Sequence, residues 1–340
     1  MRILFVFLIS FLTLNTSLFS QEDTDFKPGG NVIARSFFDF SQGFGHANKE
    51  SGFDITRAFL GYNYRITPTL QARVIIDGAS GRDSDGNLQV YIRNAYINWK
   101  DKGFDVHVGE IGLLQFSIQE DYWMHRYVLR SFQDLNSMAP SVDVGATAEY
   151  KFNDYISADL SLTNGEGYRN VVKNSSTRYA AGISLFPLRN TILRVYADIY
   201  NDGEDARDAL PEGVTEVKYN DQKSLALFLG YQNEHISGGV EYNRVFNKGF
   251  IQDKDYYGYS AYATYQFAPK WRVYARYDIM DSKMPDEFLS PWNDKDGQLM
   301  IGGVEFQPIK QIKISPNFRN MNADRDKSEQ YLFVNVEFNL

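Results

Sequence analysis

The run Tyr257-Gly258-Tyr259-Ser260-Ala261-Tyr262-Ala263-Thr264-Tyr265-Gln266-Phe267 is followed by Ala268-Pro269-Lys270 and then by Trp271-Arg272-Val273-Tyr274-Ala275-Arg276-Tyr277-Asp278-Ile279. In the first arm Tyr257, Tyr259, Ala261, Ala263, Tyr265 and Phe267 share one parity. In the second Trp271, Val273, Ala275, Tyr277 and Ile279 do the same. Successive side chains of a strand point to opposite faces, so this period of two reads as two strands joined at Ala268-Pro269. The interleaved Arg272, Arg276 and Asp278 put charge on the opposite face. A half-buried soluble sheet shows the same alternation, so the pattern establishes strands before it establishes the solvent.

Outward from this hairpin the pattern repeats. From residue 30 sixteen such runs of about ten residues occur, among them Leu70–Ile76, Val142–Phe152, Leu225–Tyr231 and Leu332–Leu340. The links between them alternate strictly in length. Short ones centre on Thr67-Pro68, Asp101-Lys102, Asn153-Asp154, Leu188-Arg189, Asn233-Glu234, Ala268-Pro269 and Pro308-Ile309. Long ones span roughly 41–52, 78–89, 110–141, 164–177, 201–222, 247–256, 282–297 and 320–329. Long loops at one rim and tight turns at the other are the layout of a 16-stranded antiparallel transmembrane β-barrel; a sandwich or propeller has no reason to segregate its loops. Beside the turns stand Tyr64, Trp99, Phe104, Phe152, Tyr155, Phe186, Tyr231, Phe267, Trp271 and Phe306, which reads as an aromatic girdle at one membrane interface.

Composition agrees with an all-β chain. Of 340 residues 15% are aromatic, 26 are Gly and only 10 are Pro. A mean hydropathy of -0.40 excludes a helical membrane protein, while a barrel shows lipid only every second residue. The absence of Cys excludes disulfides, thiolate metal sites and a cysteine nucleophile. A net charge of -8 without a basic tract argues against nucleic acid as a partner. Most of the acid excess falls in the long loops, chiefly 201–222 and 282–297, an acidic rim suited to divalent cations or to lying beside lipopolysaccharide. Arg2, the apolar stretch Ile3–Leu14 and the small residue Ser20 read as a signal peptide over 1–20, leaving a barrel over 21–340.

A barrel of sixteen strands is wide enough to hold water, so passive diffusion of small hydrophilic solutes is the expected function, with no enzymatic activity and no cofactor. Its selectivity depends on what narrows it. The third long loop, about 110–141, carries Leu113, Leu114, Phe116, Tyr122, Trp123, Tyr127, Val128, Leu129 and Phe132, too much apolar mass for a segment in solvent. It is expected to fold into the barrel as a constriction, with a short helix over Tyr127–Leu135 and with Glu110, Glu120, Asp121, Arg126, Arg130 and Asp134 charging it. An external cap or an oligomer contact is the alternative. Strand parity places Arg35, Arg57, Arg65, Arg73, Arg272 and Arg276 on the pore wall, where guanidinium groups attract phosphate or carboxylate. Inward acids by the same rule include Asp39, Asp77, Asp105, Asp143, Asp159, Asp198, Glu241, Asp278 and Glu337. Arg93 and Glu305 stay unassigned because parity is ambiguous in their strands.

The stretch Ile92-Arg93-Asn94-Ala95-Tyr96-Ile97-Asn98-Trp99 with Val106-His107-Val108-Gly109-Glu110 resembles the strands before the third loop in the phosphate-selective porin O/P family. Tyr127–Asp134, Asp143-Val144-Gly145 and Thr163–Tyr168 extend the resemblance, which covers 30–340 in layout and is specific over about 90–168. It implies a homotrimeric porin of a Gram-negative outer membrane conducting small anions, phosphate among them. Where that family carries Gly-Gln-Phe-Lys, this chain reads Gly109-Glu110-Ile111-Gly112. The C-terminal Phe338-Asn339-Leu340 fits an insertion signal for the barrel assembly machinery.

Other functions have thinner support. His46, His107, His125 and His235 lie in no nucleophile motif, which leaves a barrel enzyme without a visible centre. Asp83-Ser84-Asp85-Gly86-Asn87 and Asp294-Lys295-Asp296-Gly297 lack the distal glutamate of a calcium loop and read as turns. A receptor or adhesin role for the long loops, and a soluble sandwich, are the remaining alternatives.

Overall fold

A computed structural model describes residues 26–47, 49, 51–169, 171, 175–201, 218–283, 293, 295–323 and 328–340. The segment read as a signal peptide lies outside the described residues. Sixteen strands run in chain order: β1 (Gly29–Gly45), β2 (Ser51–Arg65), β3 (Leu70–Arg82), β4 (Leu88–Asp101), β5 (Phe104–Gly112), β6 (Val142–Lys151), β7 (Ile156–Thr163) and β8 (Arg178–Leu185). They continue as β9 (Thr191–Tyr200), β10 (Gln222–Gln232), β11 (Ile236–Phe246), β12 (Asp255–Ala268), β13 (Trp271–Lys283), β14 (Gly297–Ile309), β15 (Ile312–Ala323) and β16 (Glu329–Asn339). Each pairs antiparallel with its neighbours, and β16 pairs with β1 from Arg35↔Asn339 to Gly45↔Glu329, closing the barrel and leaving no sheet edge.

The barrel is inside out relative to a soluble protein. In β9 the outward Leu193, Val195 and Ile199 are 40–45% exposed, while the inward Arg194 and Asp198 are 1% and 4% exposed. The first set faces away from the lumen, as lipid-facing residues of a barrel would, and hydrogen bonds within the lumen satisfy the second. Several strands exceed the ten residues expected, β1 reaching 17, so the loops at 46–50, 83–87 and 324–328 are shorter than the sequence pattern indicated. Loop 164–177 keeps its expected bounds. At the turn rim Lys102 (φ 46°) and Gly103 (φ 88°) both occupy the left-handed region, the conformation that matches a two-residue hairpin link to strand twist.

Rings gather beside the turns on the outer face. Trp271 stacks on Phe306 at 4.5 Å, and Phe104 meets Tyr150 at 4.4 Å. Phe186 departs from the expected girdle. It packs against the cluster of apolar side chains in the lumen, because the third long loop supplies apolar neighbours there.

Candidate functional site: the constriction

The third long loop, L3 (113–141), crosses the lumen. It carries helix α1 (Leu114–Trp123) and a single turn α2 (Phe132–Leu135). The expected helix over Tyr127–Leu135 is thus confined to its last four residues, and the longer helix lies upstream. Glu110, expected in the loop, ends up in β5, since the β5–β6 ladder runs on to Gly112↔Val142. Two forces hold L3 inward. Trp123, Tyr127 and Val128 join Phe37, Ile192, Phe228, Tyr262, Tyr274, Leu299 and Ile301 in one apolar cluster, so this part of the lumen wall is greasy where a pore wall would be wet. Around that cluster the wall donates to loop carbonyls: Ser237 to Tyr122 (2.8 Å), Tyr262 to Gln119 (3.1 Å), Arg276 to Arg130 (2.7 Å), Arg319 to Val128 (2.8 Å) and Tyr256 to Ser137 (2.9 Å). Each bond satisfies a backbone group that the loop's irregular course leaves open inside the closed wall of strands.

L3 therefore leans on the wall from β9 to β15 and reaches Phe37 of β1. Inward residues of β8–β10 and β13 are mostly buried, whereas most of those of β1–β5 are half-buried, with Phe37, Arg57 and Asp77 among the exceptions, so the open part of the lumen lies on that side. Two clefts mark the path. The one toward the long loops, of about 290 Å³, includes Arg57, Arg130, Asp134, Tyr168 and Arg169. The one toward the short turns, of about 300 Å³, includes Arg73, Arg93, Tyr96, Glu120 and Asp121.

The six parity-assigned arginines fare differently. Arg35 pairs with Glu337, which Lys313 also reaches at 3.1 Å. Arg57 pairs with the fully buried Asp77, and Arg272 with Glu305. Arg276 chelates Asp278 (2.6 Å) and lies over Trp123 at 5.1 Å, so it bolts L3 to the wall and is closed off from the water path. Arg73 donates to Asn63 and lines the inner cleft, and Arg65 is exposed at the turn end of β2. Among the loop charges, Arg126 is clamped between Glu120 (2.9 Å) and Asp134 (2.7 Å), which cancels its own charge and leaves the trio with one net negative charge. Arg130 makes a long contact to the Asp134 carbonyl (3.5 Å) and faces the outer cleft; burial pushes its guanidinium below the ordinary value. Burial, then neighbouring Glu120, pushes Asp121 up, offset by Arg35.

Two residues at the constriction escape parity. Arg93 is the extra residue of a β-bulge, since Ile75 faces Asn94 while Ile76 faces Ile92. The bulge turns both Arg93 and Asn94 from the lipid face, which is why alternation in β4 gives no answer. Tyr168 comes from the fourth long loop: its hydroxyl accepts from Arg57 (3.0 Å) and donates to Asp77 (2.7 Å), carrying a second loop into the pore. Its signal was its place in the resemblance to the porin family, without any charge to single it out. The Asp83 tract is a turn closed on itself, with the Asp85 and Asn87 amides donating to Asp83 at 3.0 and 2.8 Å. Asp294 of the other acidic tract lies outside the described residues.

No family model and no curated protein sequence matches the chain. Solved structures do. The fold is similar to that of OmpF of Salmonella typhi, solved in complex with daunomycin (TM-score 0.71, 11% identity, 92% of this chain and 97% of that one). It is similar to OprB of Pseudomonas putida (0.68, 11%, 92% and 94%) and to OmpT, an outer membrane protein of Vibrio cholerae (0.63, 12%, 92% and 98%). At such identities these likenesses show the fold alone, a closed antiparallel barrel.

Proposed function

We propose that the chain is a porin of a Gram-negative outer membrane, a passive diffusion channel for small hydrophilic solutes. The observation that carries this reading is the uneven lumen: L3 seals one wall with apolar packing, and a polar, half-exposed path remains along β1–β5. A receptor barrel or barrel enzyme would have no use for a constriction bolted in place yet set to one side. The anion preference that the family resemblance implies is carried in this reading by Arg130 and Arg169 at the outer cleft, because most wall arginines are already neutralised by carboxylates. Phosphate is then one anion among several. Residues 1–20 serve as the export signal, the outward Phe338 and Leu340 serve the barrel assembly machinery, the acidic loops lie beside lipopolysaccharide, and the homotrimer follows from the resemblance alone.

Purified protein added to a planar lipid bilayer is expected to give stepwise ohmic currents in KCl. Heat-modifiable gel mobility verifies the folded barrel in the same sample. A folded barrel that gives no conductance steps overturns the channel reading. Chemical crosslinking in native membranes tests the trimer separately.

A further inference from the structure

Along the open side of the lumen, side chains from β2, β4 and the fourth long loop alternate between ring and guanidinium. The Arg93 guanidinium lies 5.3 Å from the Phe59 ring and 5.9 Å from Tyr168; that of Arg169 lies 5.7 Å from Tyr168 and 6.0 Å from Tyr91. Tyr91 and Tyr168 meet edge to face at 6.1 Å. Phe59, Tyr91, Arg93 and Tyr168 are half-buried and Arg169 is exposed, so water and solutes reach the row.

This row differs from the ion-paired arginines of the lumen. Among the described residues, neither Arg93 nor Arg169 has a carboxylate at ion-pair distance, whereas Arg57, Arg126, Arg194 and Arg276 each do. The Nε of Arg93 is buried with no hydrogen-bond partner, and the Nε of Arg169 has only the Tyr168 hydroxyl at 3.4 Å. An ion pair fixes a guanidinium and cancels its charge; stacking on rings fixes it and leaves the charge and the N–H edges available. Half-wet aromatic rings in a water path gain by covering themselves with another flat apolar surface.

We propose that this row is a binding station for aromatic carboxylates. The carboxylate takes the free N–H edges of Arg93 and Arg169, and the flat ring of the solute lies against Tyr91, Tyr168 and Phe59. Inorganic phosphate and acetate engage only the first half of the station, and a neutral aromatic solute only the second. The proposal rests on the channel reading for its biological sense, while binding itself can be measured without conduction.

The probes are benzoate, acetate, cyclohexanecarboxylate and benzyl alcohol, used with the full-length barrel. Isothermal titration in detergent is expected to show benzoate binding about tenfold more tightly than acetate or cyclohexanecarboxylate, the factor that one ring-on-ring contact provides. In planar bilayers benzoate is expected to interrupt the KCl current in the same order of potency. The double variant Arg93→Gln/Arg169→Gln, checked for folding by heat-modifiable mobility, should weaken acetate and benzoate alike and bring benzoate down to the affinity of benzyl alcohol, which it should leave unchanged. Tyr91→Leu should narrow the gap while leaving acetate unchanged. Equal binding of benzoate and acetate by the wild type, or affinities for both that the double variant leaves unchanged, overturns the station. Benzoate binding by a barrel that passes no current would instead overturn the channel reading and leave the station standing.

Discussion

His125 of L3 faces Glu305 of β14, with Nδ1 3.2 Å from the carboxylate, and its Nε2 lies 2.9 Å from the Thr264 hydroxyl of β12. A carboxylate only accepts, so the ring proton sits on Nδ1 and Thr264 donates to Nε2. One neutral imidazole, fully buried and stacked on Tyr274 at 4.1 Å, thereby ties the loop to two strands. Tyr127 adds a third tie, donating to the same Glu305 carboxylate at 2.9 Å.

Burial is the largest influence on His125 and pushes its pKa below the ordinary 6.5, with Lys313 and Arg272 acting in the same direction and Glu305 against them. Between that depressed value and about 6.5 the unfolded chain binds a proton that the folded one refuses, so stability rises with pH through this window. The latch is complete above about pH 6.5 and weakens as the pH falls below it. Acidification from pH 7 to 5 is expected to raise current noise and closures in planar bilayers. His125→Asn, which keeps a donor toward Glu305 and does not titrate, should abolish the pH dependence. A wild-type current equally quiet at both pH values counts against the latch.

Arg276 offers a test of the wall side. It is 2% exposed, chelates Asp278 and donates to the Arg130 carbonyl at 2.7 Å. Arg276→Gln leaves a buried carboxylate without its partner, a loss of about 3–5 kcal/mol. The temperature at which the folded band disappears from a heat-modifiable gel should fall clearly. Arg276→Gln/Asp278→Asn should recover most of the loss, because the orphaned charge is gone. If the single and double variants melt alike, the ion pair is not what holds this wall.

Much of the architecture is legible in the sequence, and the exceptions share a cause. Alternation works where lipid lies on one side and water on the other, as in β9 and β13. It fails in β14, where the inward Leu299 and Ile301 are apolar because L3 covers them, and this made the parity of Glu305 ambiguous. Phe186 was misplaced for the same reason. Arg93 was hidden by a bulge, which changes parity without changing composition. That L3 turns inward was readable from its apolar content. Which wall it would choose was not, since that depends on Ile192, Phe228, Tyr262 and Tyr274, scattered over four strands and joined only by closure of the barrel. Ion pairing of the wall arginines was likewise beyond a parity count, which registers Arg57 and Asp77 as two separate charges.

Trp123 is 1% exposed at the centre of the lumen cluster and donates its indole N–H to the Leu129 carbonyl at 2.8 Å. Trp123→Ala removes the largest apolar body between L3 and the wall, a loss of about 3–5 kcal/mol in a packed core. The barrel closes through its sixteen strands without L3, so the cost should fall on the loop. The expected result is a folded, heat-modifiable barrel with a larger and more variable single-channel conductance. An unchanged conductance would place the narrowing elsewhere than at L3.

Asp77 decides what Arg57 contributes to selectivity. The carboxylate is fully buried, pairs with Arg57 and accepts from Tyr168 at 2.7 Å, so the pair presents little net charge to the water path. Arg57→Ala is therefore a poor probe: it strands a buried acid and disturbs folding before selectivity. Asp77→Asn keeps the shape, retains an acceptor for Arg57 and Tyr168, and frees one positive charge beside the outer cleft. A unit charge about 10 Å from a passing ion in water is worth about 0.4 kcal/mol, a factor of about two. The factor acts with opposite sign on chloride and potassium, so Asp77→Asn should raise the chloride-to-potassium permeability ratio about fourfold, read from the reversal potential in a KCl gradient. Arg130→Gln, which removes an unneutralised charge from the same cleft, should lower it by a similar factor. Opposite shifts from the two variants locate anion preference at the outer cleft, and a shift in the same direction would show that Asp77 and Arg130 do not act on one ion path.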